Sequence, residues 1–253
     1  MDAALSADTR SPPRGPCRFS AGSVHEMPTS TTELVPGTFF ALLTDGEREA
    51  LRELSVTRMF PRGTVLMFEQ EPDQRVMLLL SGRVKVTAVS HDQRDVLLSI
   101  RDPGDVLGEL AFIDGQPRAA TVSALEQVHA LVMPGQAFRA HLETTPRVAV
   151  VLLEIVAGRF REATSKRLQF AASDTLGRLS ARIVELADRY GEHSDDGIVV
   201  HLPISQEELA SWTGASRAGV AQALQACREL GWVQTARRKL TVTDAAALRA
   251  RAA

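Results

Sequence analysis

Glu109 and Arg118 stand nine positions apart, with Gly108 and Leu110 flanking the glutamate and Ala119, Ala120 and Thr121 following the arginine. Those residue types suit a sugar phosphate. A glycine turn at the start of a short helix frees backbone N–H groups that attract an anion. A guanidinium then holds phosphate oxygens in a fork that a lysine cannot reproduce. A carboxylate beside that anion would repel it, so Glu109 must meet a neutral donor, and a ribose hydroxyl fits. Taken alone, a glutamate and an arginine at this spacing form a surface ion pair worth ~0–1 kcal/mol. The flanking residues decide between the two.

A second chemistry lies near the C-terminal end. Ser205-Gln206-Glu207-Glu208 has capping-box spacing, Gly214 supplies a tight bend, and Ser216 can cap a helix bearing Val220, Leu224, Cys227 and Leu230. Two helices joined by a short glycine turn make a helix-turn-helix, which offers the first turn of its second helix to a DNA groove. Arg217 is placed there to donate in bidentate fashion to guanine O6 and N7, worth about 1–3 kcal/mol of discrimination. The runs Val233 to Thr235 and Leu240 to Thr243 bracket Arg237, Arg238 and Lys239, three cations suited to phosphates.

No catalytic set accompanies these residues. The six histidines (His25, His91, His129, His141, His193, His201) are scattered, without a nucleophile, base and orienter in one motif. Cys17 and Cys227 cannot form a metal or iron–sulfur cage by themselves, so no metal is expected. Cys227 falls on an apolar helix face and is read as a small buried residue.

The elements that must position these sites follow from composition and pattern. A chain of 253 residues is long enough for two domains, and 44% apolar with 24% charged residues is ordinary globular composition. Residues 201 to 253 carry seven Arg/Lys against four Asp/Glu, a balance of +3 within a net charge of −2, and that sign suits a segment facing phosphates. No apolar run approaches the ~18–20 residues that span a bilayer, and no signal peptide is evident, so a cytoplasmic protein with no membrane partner is expected. Residues 1 to 36 hold 16 Ser, Thr, Pro or Gly and no periodicity, and are read as an unstructured extension.

From Thr44 the signals sharpen. Thr44-Asp45-Gly46-Glu47 has capping-box spacing. Val65 to Phe68, Val76 to Leu80, Val84 to Val89, Val96 to Ile100 and Val128 to Met133 read as strands, which suggests a compact antiparallel barrel or sandwich over residues 37 to 145. A long helix is predicted from Pro146 to about residue 173. Its Leu153, Val156, Phe160, Ala163, Arg167 and Phe170 follow the 3–4 spacing of a coiled-coil seam, which favours a parallel homodimer. Asp174 can cap the next helix and opens a second unit, residues 174 to 253.

Gly108-Glu109-Leu110-Ala111 followed by Pro117-Arg118-Ala119-Ala120-Thr121-Val122 resembles the phosphate-binding cassette of cyclic-nucleotide-binding domains. The segment Ile204 to Trp232 resembles the winged DNA-reading domain of the cyclic-AMP receptor protein and fumarate–nitrate regulator family. The resemblance implies an α+β architecture: a cyclic-nucleotide-binding β-roll, a dimerisation helix and a winged helix-turn-helix. It implies cyclic AMP as allosteric ligand, and double-stranded DNA, a second copy of the chain and RNA polymerase as partners. Within it, Arg159 matches an arginine that reaches the cassette glutamate, and Ala163 and Thr164 match two positions whose hydroxyls often face the base. Ala120 and Thr121 complete the pocket wall, whereas Leu110 and Val122 are expected in the core.

Departures from the family pattern are visible. Ala163 cannot hydrogen-bond, which weakens adenine recognition by roughly 0.5–1.5 kcal/mol. Ala119 stands where cyclic-GMP binders place a hydroxyl. Gln70 replaces a turn glycine. Ala218 stands where relatives have an acidic reader of cytosine, and Gln222 where they have a second arginine, so their palindrome does not transfer. Two alternatives stay open: a regulator of the same fold whose pocket takes another ligand or none, and an enzyme's regulatory subunit.

Overall fold

The computed structural model describes residues 34–201, 204–236 and 239–252. The expected N-terminal extension falls almost wholly outside the described residues, as do Arg237 and Arg238.

The chain opens with α1 (Phe39–Leu42) and α2 (Asp45–Glu53). Thr44 Oγ1 accepts from Glu47 N–H while the Glu47 carboxylate accepts from Thr44 N–H, the reciprocal cap that the sequence spacing predicts. Then come β1 (Val56–Phe60), β2 (Val65–Met67), β3 (Val76–Ser81), β4 (Val84–Val89), β5 (Asp95–Arg101) and β6 (Val106–Leu107). A short α3 (Glu109–Asp114) leads to β7 (Thr121–Ala124) and β8 (Val128–Met133). Two four-stranded antiparallel sheets result, in the orders β1-β8-β3-β6 and β2-β7-β4-β5.

Strand β3 shows why the sequence builds this roll. Its Met77 and Leu79 pack with Leu66, Met67, Val84, Val122 and Ala130 between the sheets. Its Val76 and Leu78 turn the other way, against Phe39, Phe40, Leu51 and Phe138 of the covering helices. A strand buried on both faces needs a continuous apolar run, and Val-Met-Leu-Leu-Leu supplies it. Each such side chain taken from water contributes ~1.5–3 kcal/mol.

Helix α4 (Gly135–Thr144) precedes α5 (Pro146–Ala172), which starts with proline at its first turn, where no N–H is needed. Val148, Val151, Leu152 and Ile155 form a stripe against the roll's own core. On the opposite side Val150, Leu153, Phe160 and Leu168 are exposed, Phe160 by 74%. Leu153, Phe160, Ala163 and Arg167 of the predicted seam are exposed. Val156 falls beside the inward stripe and is half-buried, while Phe170 meets the C-terminal unit, where its ring lies against Gly214. The outward row is Val150, Leu153, half-buried Ala157, Phe160, Thr164 and Leu168.

The C-terminal unit comprises α6 (Thr175–Tyr190), β9 (Gly191–Ser194), β10 (Gly197–His201), α7 (Gln206–Thr213), α8 (Arg217–Glu229), β11 (Val233–Ala236), β12 (Lys239–Val242) and α9 (Ala245–Ala252). Its strands form the sheet β11-β12-β10-β9, so the wing hairpin is part of a four-stranded sheet. Asp174 Oδ1 accepts from Gly177 N–H at 2.9 Å and caps α6. Leu179, Ile183, Leu186, Leu209, Val220, Leu224 and Cys227 build a core that also takes in Leu97, Ile100 and Leu125 from the roll. Strand β5 is an outer strand of its sheet, and α7 lies along it: Leu97 N–H donates to Ser211 Oγ at 3.1 Å, and Lys85 of the neighbouring β4 pairs with Glu208.

Candidate nucleotide pocket and DNA-reading surface

Gly108 links β6 to α3 with φ of +80°, in the left-handed region that glycine adopts without penalty. The position has a second reason for glycine, because a Cβ there would stand 2.3 Å from Arg118 Nη1 and 2.8 Å from the Arg75 carbonyl. Arg118 is thus drawn tightly beneath the turn, and it is only 2% exposed. Its Nη1 donates to the Gly108 carbonyl at 3.0 Å. Its Nη2 donates to the Arg75 carbonyl at 2.6 Å and to Asp73 Oδ2 at 3.0 Å. Its Nε is buried with no acceptor among the described residues.

Asp73 is a residue that sequence reasoning missed. It lies on the loop between β2 and β3, where Arg75 N–H also donates to it. Burial would raise its pKa, but the Arg75 N–H and the guanidinium groups of Arg118 and Arg75 outweigh burial and hold the carboxyl below its ordinary range. The expected clamp therefore grips a carboxylate of its own chain.

Glu109 faces the long helix. Arg159 Nη1 donates to Glu109 Oε1 at 2.6 Å, and Arg159 Nη2 donates to Asp105 Oδ1 at 2.9 Å and to the Val106 carbonyl at 3.0 Å. Burial disfavours the Arg159 cation, but Glu109 and Asp105 more than compensate and raise its pKa. The contact that the resemblance implied between Arg159 and the cassette glutamate is present.

The remaining cassette residues divide. Val122 is buried, as expected, but Leu110 is 46% exposed and Ile113 lies exposed beside it. Helix α3 is a single short piece that turns Ala111 and Phe112 inward and so leaves Leu110 and Ile113 outward. Thr121 Oγ1 accepts from Glu69 N–H at 3.0 Å, so this hydroxyl pins the β2–β3 loop to the cassette. Gln70 N–H donates to the Arg118 carbonyl and Arg118 N–H to the Glu71 carbonyl, completing that attachment. Gln70, the departure from a turn glycine, has φ of +64°. Ala119 is exposed and Ala120 half-buried. Thr164 is exposed on α5 and its hydroxyl donates to the Phe160 carbonyl at 2.9 Å.

At the other end, Ser205 and Glu208 cap α7 reciprocally, and Ser216 Oγ accepts from Gly219 N–H at 3.0 Å to start α8. Gly214, with φ of +58°, makes the bend between them. Helix α8 turns Val220, Ala223, Leu224 and Cys227 inward and leaves Arg217, Ala218 and Gln222 exposed. Burial raises the Cys227 thiol pKa, which fits a small core residue. Lys239 is exposed at the start of β12, opposite Ala236. Among the described residues no group of His, Cys, Asp or Glu is arranged to hold a metal ion. No described helix is long and apolar enough to cross a membrane.

Comparison with known proteins agrees with this geometry. Residues 57–145 match the model of the cyclic nucleotide-binding domain and residues 177–251 that of the Crp-like helix-turn-helix domain. The CRP-like cAMP-activated global transcriptional regulator of Mycobacterium tuberculosis is 32% identical over 193 residues, covering 76% of this chain and 86% of that one. The global nitrogen regulator of Synechococcus elongatus is 27% identical, over 75% and 86% of the two chains. The structure of the c-di-GMP responsive global regulator CLP from Xanthomonas campestris shares the fold, with a TM-score of 0.72 at 20% identity over 79% of this chain and 99% of that chain. The chain belongs to the CRP family of DNA-binding transcription regulators, proteins that join a cyclic-nucleotide-binding domain to a helix-turn-helix and are not enzymes.

Proposed function

We propose that the chain works as a cytoplasmic homodimer that binds cyclic AMP in the β-roll and reads a near-palindromic DNA site with its two α8 helices. The pairing of Glu109 with Arg159 carries the ligand reading. It ties the sugar-side carboxylate to the long helix through Oε1 and leaves Oε2 to accept from a ribose hydroxyl. Gly108 and Arg118 take the phosphate. The buried Arg118 Nε lacks an acceptor among the described residues, and a phosphate oxygen supplies one. For Nη2 the phosphate competes with Asp73, which sits on a loop with its carboxylate partly open to water. A monoanionic cyclic phosphate with several oxygens offers more acceptors than one carboxylate oxygen, and charge-assisted bonds of this kind are worth about 1.5–3 kcal/mol each.

Ala120 and Thr121 wall the pocket, and Thr164 presents the hydroxyl that meets the base. Ala119 offers the guanine amino group nothing, which favours cyclic AMP over cyclic GMP. The apolar row of α5, with Phe160 at its centre, pairs with the same row of a second copy, because exposed apolar patches of this kind mark interfaces. Arg217 contacts bases, with Ala218 and Gln222 beside it, while Lys239, Arg237 and Arg238 contact phosphates.

One observation favours a second reading, a pocket that takes a different ligand or none: Asp73 already neutralises Arg118. Calorimetry of the folded, nucleotide-free protein separates the two. Heat with cyclic AMP exceeding that with cyclic GMP is expected, and no heat with either establishes the second reading.

A further inference from the structure

The turn after β5 carries two carboxylates that reach opposite parts of the molecule. Asp102-Pro103-Gly104-Asp105 closes through Asp105 N–H donating to the Asp102 carbonyl at 3.0 Å and Asp102 N–H donating to Asp105 Oδ2 at 2.9 Å. Asp105 grips Arg159 of α5, as described above. Asp102 points the other way and is only 2% exposed. Its Oδ2 accepts from Arg189 Nη2 and, at 3.2 Å, from the Tyr190 hydroxyl, both in the last turn of α6. The Tyr190 ring lies under two guanidinium groups, Arg83 of the roll at 5.0 Å and Arg189 at 5.4 Å. Arg83 is fixed in turn by Glu126 at 2.9 Å. A cleft of about 500 Å³ opens beside these groups, between the roll and the end of α6.

A carboxylate so deeply buried is tolerated only with partners, and both side-chain partners of Asp102 belong to the C-terminal unit. Separating the two units strands that charge until water fills the gap, so the contact is made or broken as one event. Every link from the pocket to this contact is a hydrogen bond: Glu109 to Arg159, Arg159 to Asp105, Asp105 to the Asp102 backbone, and Asp102 to Arg189 and Tyr190.

We propose that Asp102, Arg189 and Tyr190 form a latch that holds the DNA-reading unit against the β-roll, and that the shared turn couples this latch to the nucleotide pocket through Asp105 and Arg159. The latch stands on the contacts of Asp102 with Arg189 and Tyr190 alone, whereas the coupling rests on the cyclic-nucleotide reading above. Differential grip in two arrangements is what makes such a contact a switch, and the coupling acts in both directions.

The amide of Leu97 is the reporter, because it lies on the outer strand β5 and donates to Ser211 of the docked unit. Hydrogen exchange is followed in the full-length protein without ligand. Arg189→Gln combined with Tyr190→Phe raises exchange at Leu97 by about tenfold or more, while the core amides of Leu78 and Leu131 stay protected. Unchanged protection at Leu97 overturns the latch. Should the double variant lose its core protection, Tyr190→Phe alone gives the reading, since it keeps the ring and both guanidinium groups and removes only the hydroxyl. A smaller rise at Leu97 is then expected, and no rise overturns the latch.

Calorimetry with cyclic AMP tests the coupling, with a change in Kd of about fivefold or more expected between the wild type and the latch variant. Equal Kd values with raised Leu97 exchange keep the latch and refute the coupling. No heat from the wild type removes both the nucleotide reading and the coupling, and the latch is then decided by exchange alone.

Discussion

Replacing Asp73 by asparagine keeps the shape of the β2–β3 loop and removes the charge that competes for Arg118. The gross attraction between two unit charges ~4 Å apart at an effective dielectric of ~20 is about 4 kcal/mol. Desolvation of the buried guanidinium offsets much of it, and two backbone carbonyls still accept from Arg118 in the variant. We therefore expect Asp73→Asn to lower the stability of the ligand-free protein by about 1–3 kcal/mol. The same change leaves Arg118 short of an anion, so cyclic AMP should bind about 5–30-fold more tightly, the equivalent of ~1–2 kcal/mol. Thermal denaturation and calorimetry, run with and without cyclic AMP, measure both effects. A variant that is destabilised and binds no more tightly, or more weakly, refutes the view that Asp73 occupies the phosphate seat.

The acid limb of the stability curve gives the same group a second test. The folded-state pKa of Asp73 is depressed, so its stabilisation is fully present above the unfolded value of ~3.9 and is lost as pH falls through the lower folded value. Asp73→Asn should lose less stability than the wild type across that acidic window.

Three further perturbations address the other elements. Arg217→Ala should weaken binding to a specific site by about 1–3 kcal/mol and hardly change binding to random duplex, measured by fluorescence anisotropy, and equal losses on both would remove its base-reading role. Phe160→Glu places a charge in the exposed row of α5 and should convert the dimer to monomer in sedimentation, so an unchanged sedimentation coefficient places the subunit contact elsewhere. Gln70→Gly relieves a left-handed backbone position while adding unfolded-state freedom, for a net stabilisation of at most ~1 kcal/mol by thermal melting, and clear destabilisation would mean that the Gln70 side chain does more than its backbone shows.

Features set by neighbouring residues were readable from the sequence. The caps at Thr44, Asp174, Ser205 and Ser216 depend on residues three apart and appear as expected. The two-faced burial of β3 was implicit in its apolar run. Elements with weak patterns escaped: β1 is mostly exposed, and α9 is an alanine-rich helix without a pronounced apolar face. Two apolar stripes run along α5, and the sequence does not say which one the roll consumes. Asp73 lies 45 residues from Arg118, and Asp102 lies 88 from Tyr190. Neither pairing follows any spacing rule, since only the closed topology brings those loops and helix ends together. Arg159 is legible only through the family resemblance, which implies an arginine at that place on α5.

The position of α7 along β5 has a consequence for how the protein keeps itself in solution. An outermost strand is a template for any other strand, and here Leu98 adds an exposed apolar side chain to that margin. The reading domain acts as its cover. A molecule whose heads swing free therefore uncovers a sticky border, and unliganded or mutant forms in that state should clump through main-chain pairing before they unfold.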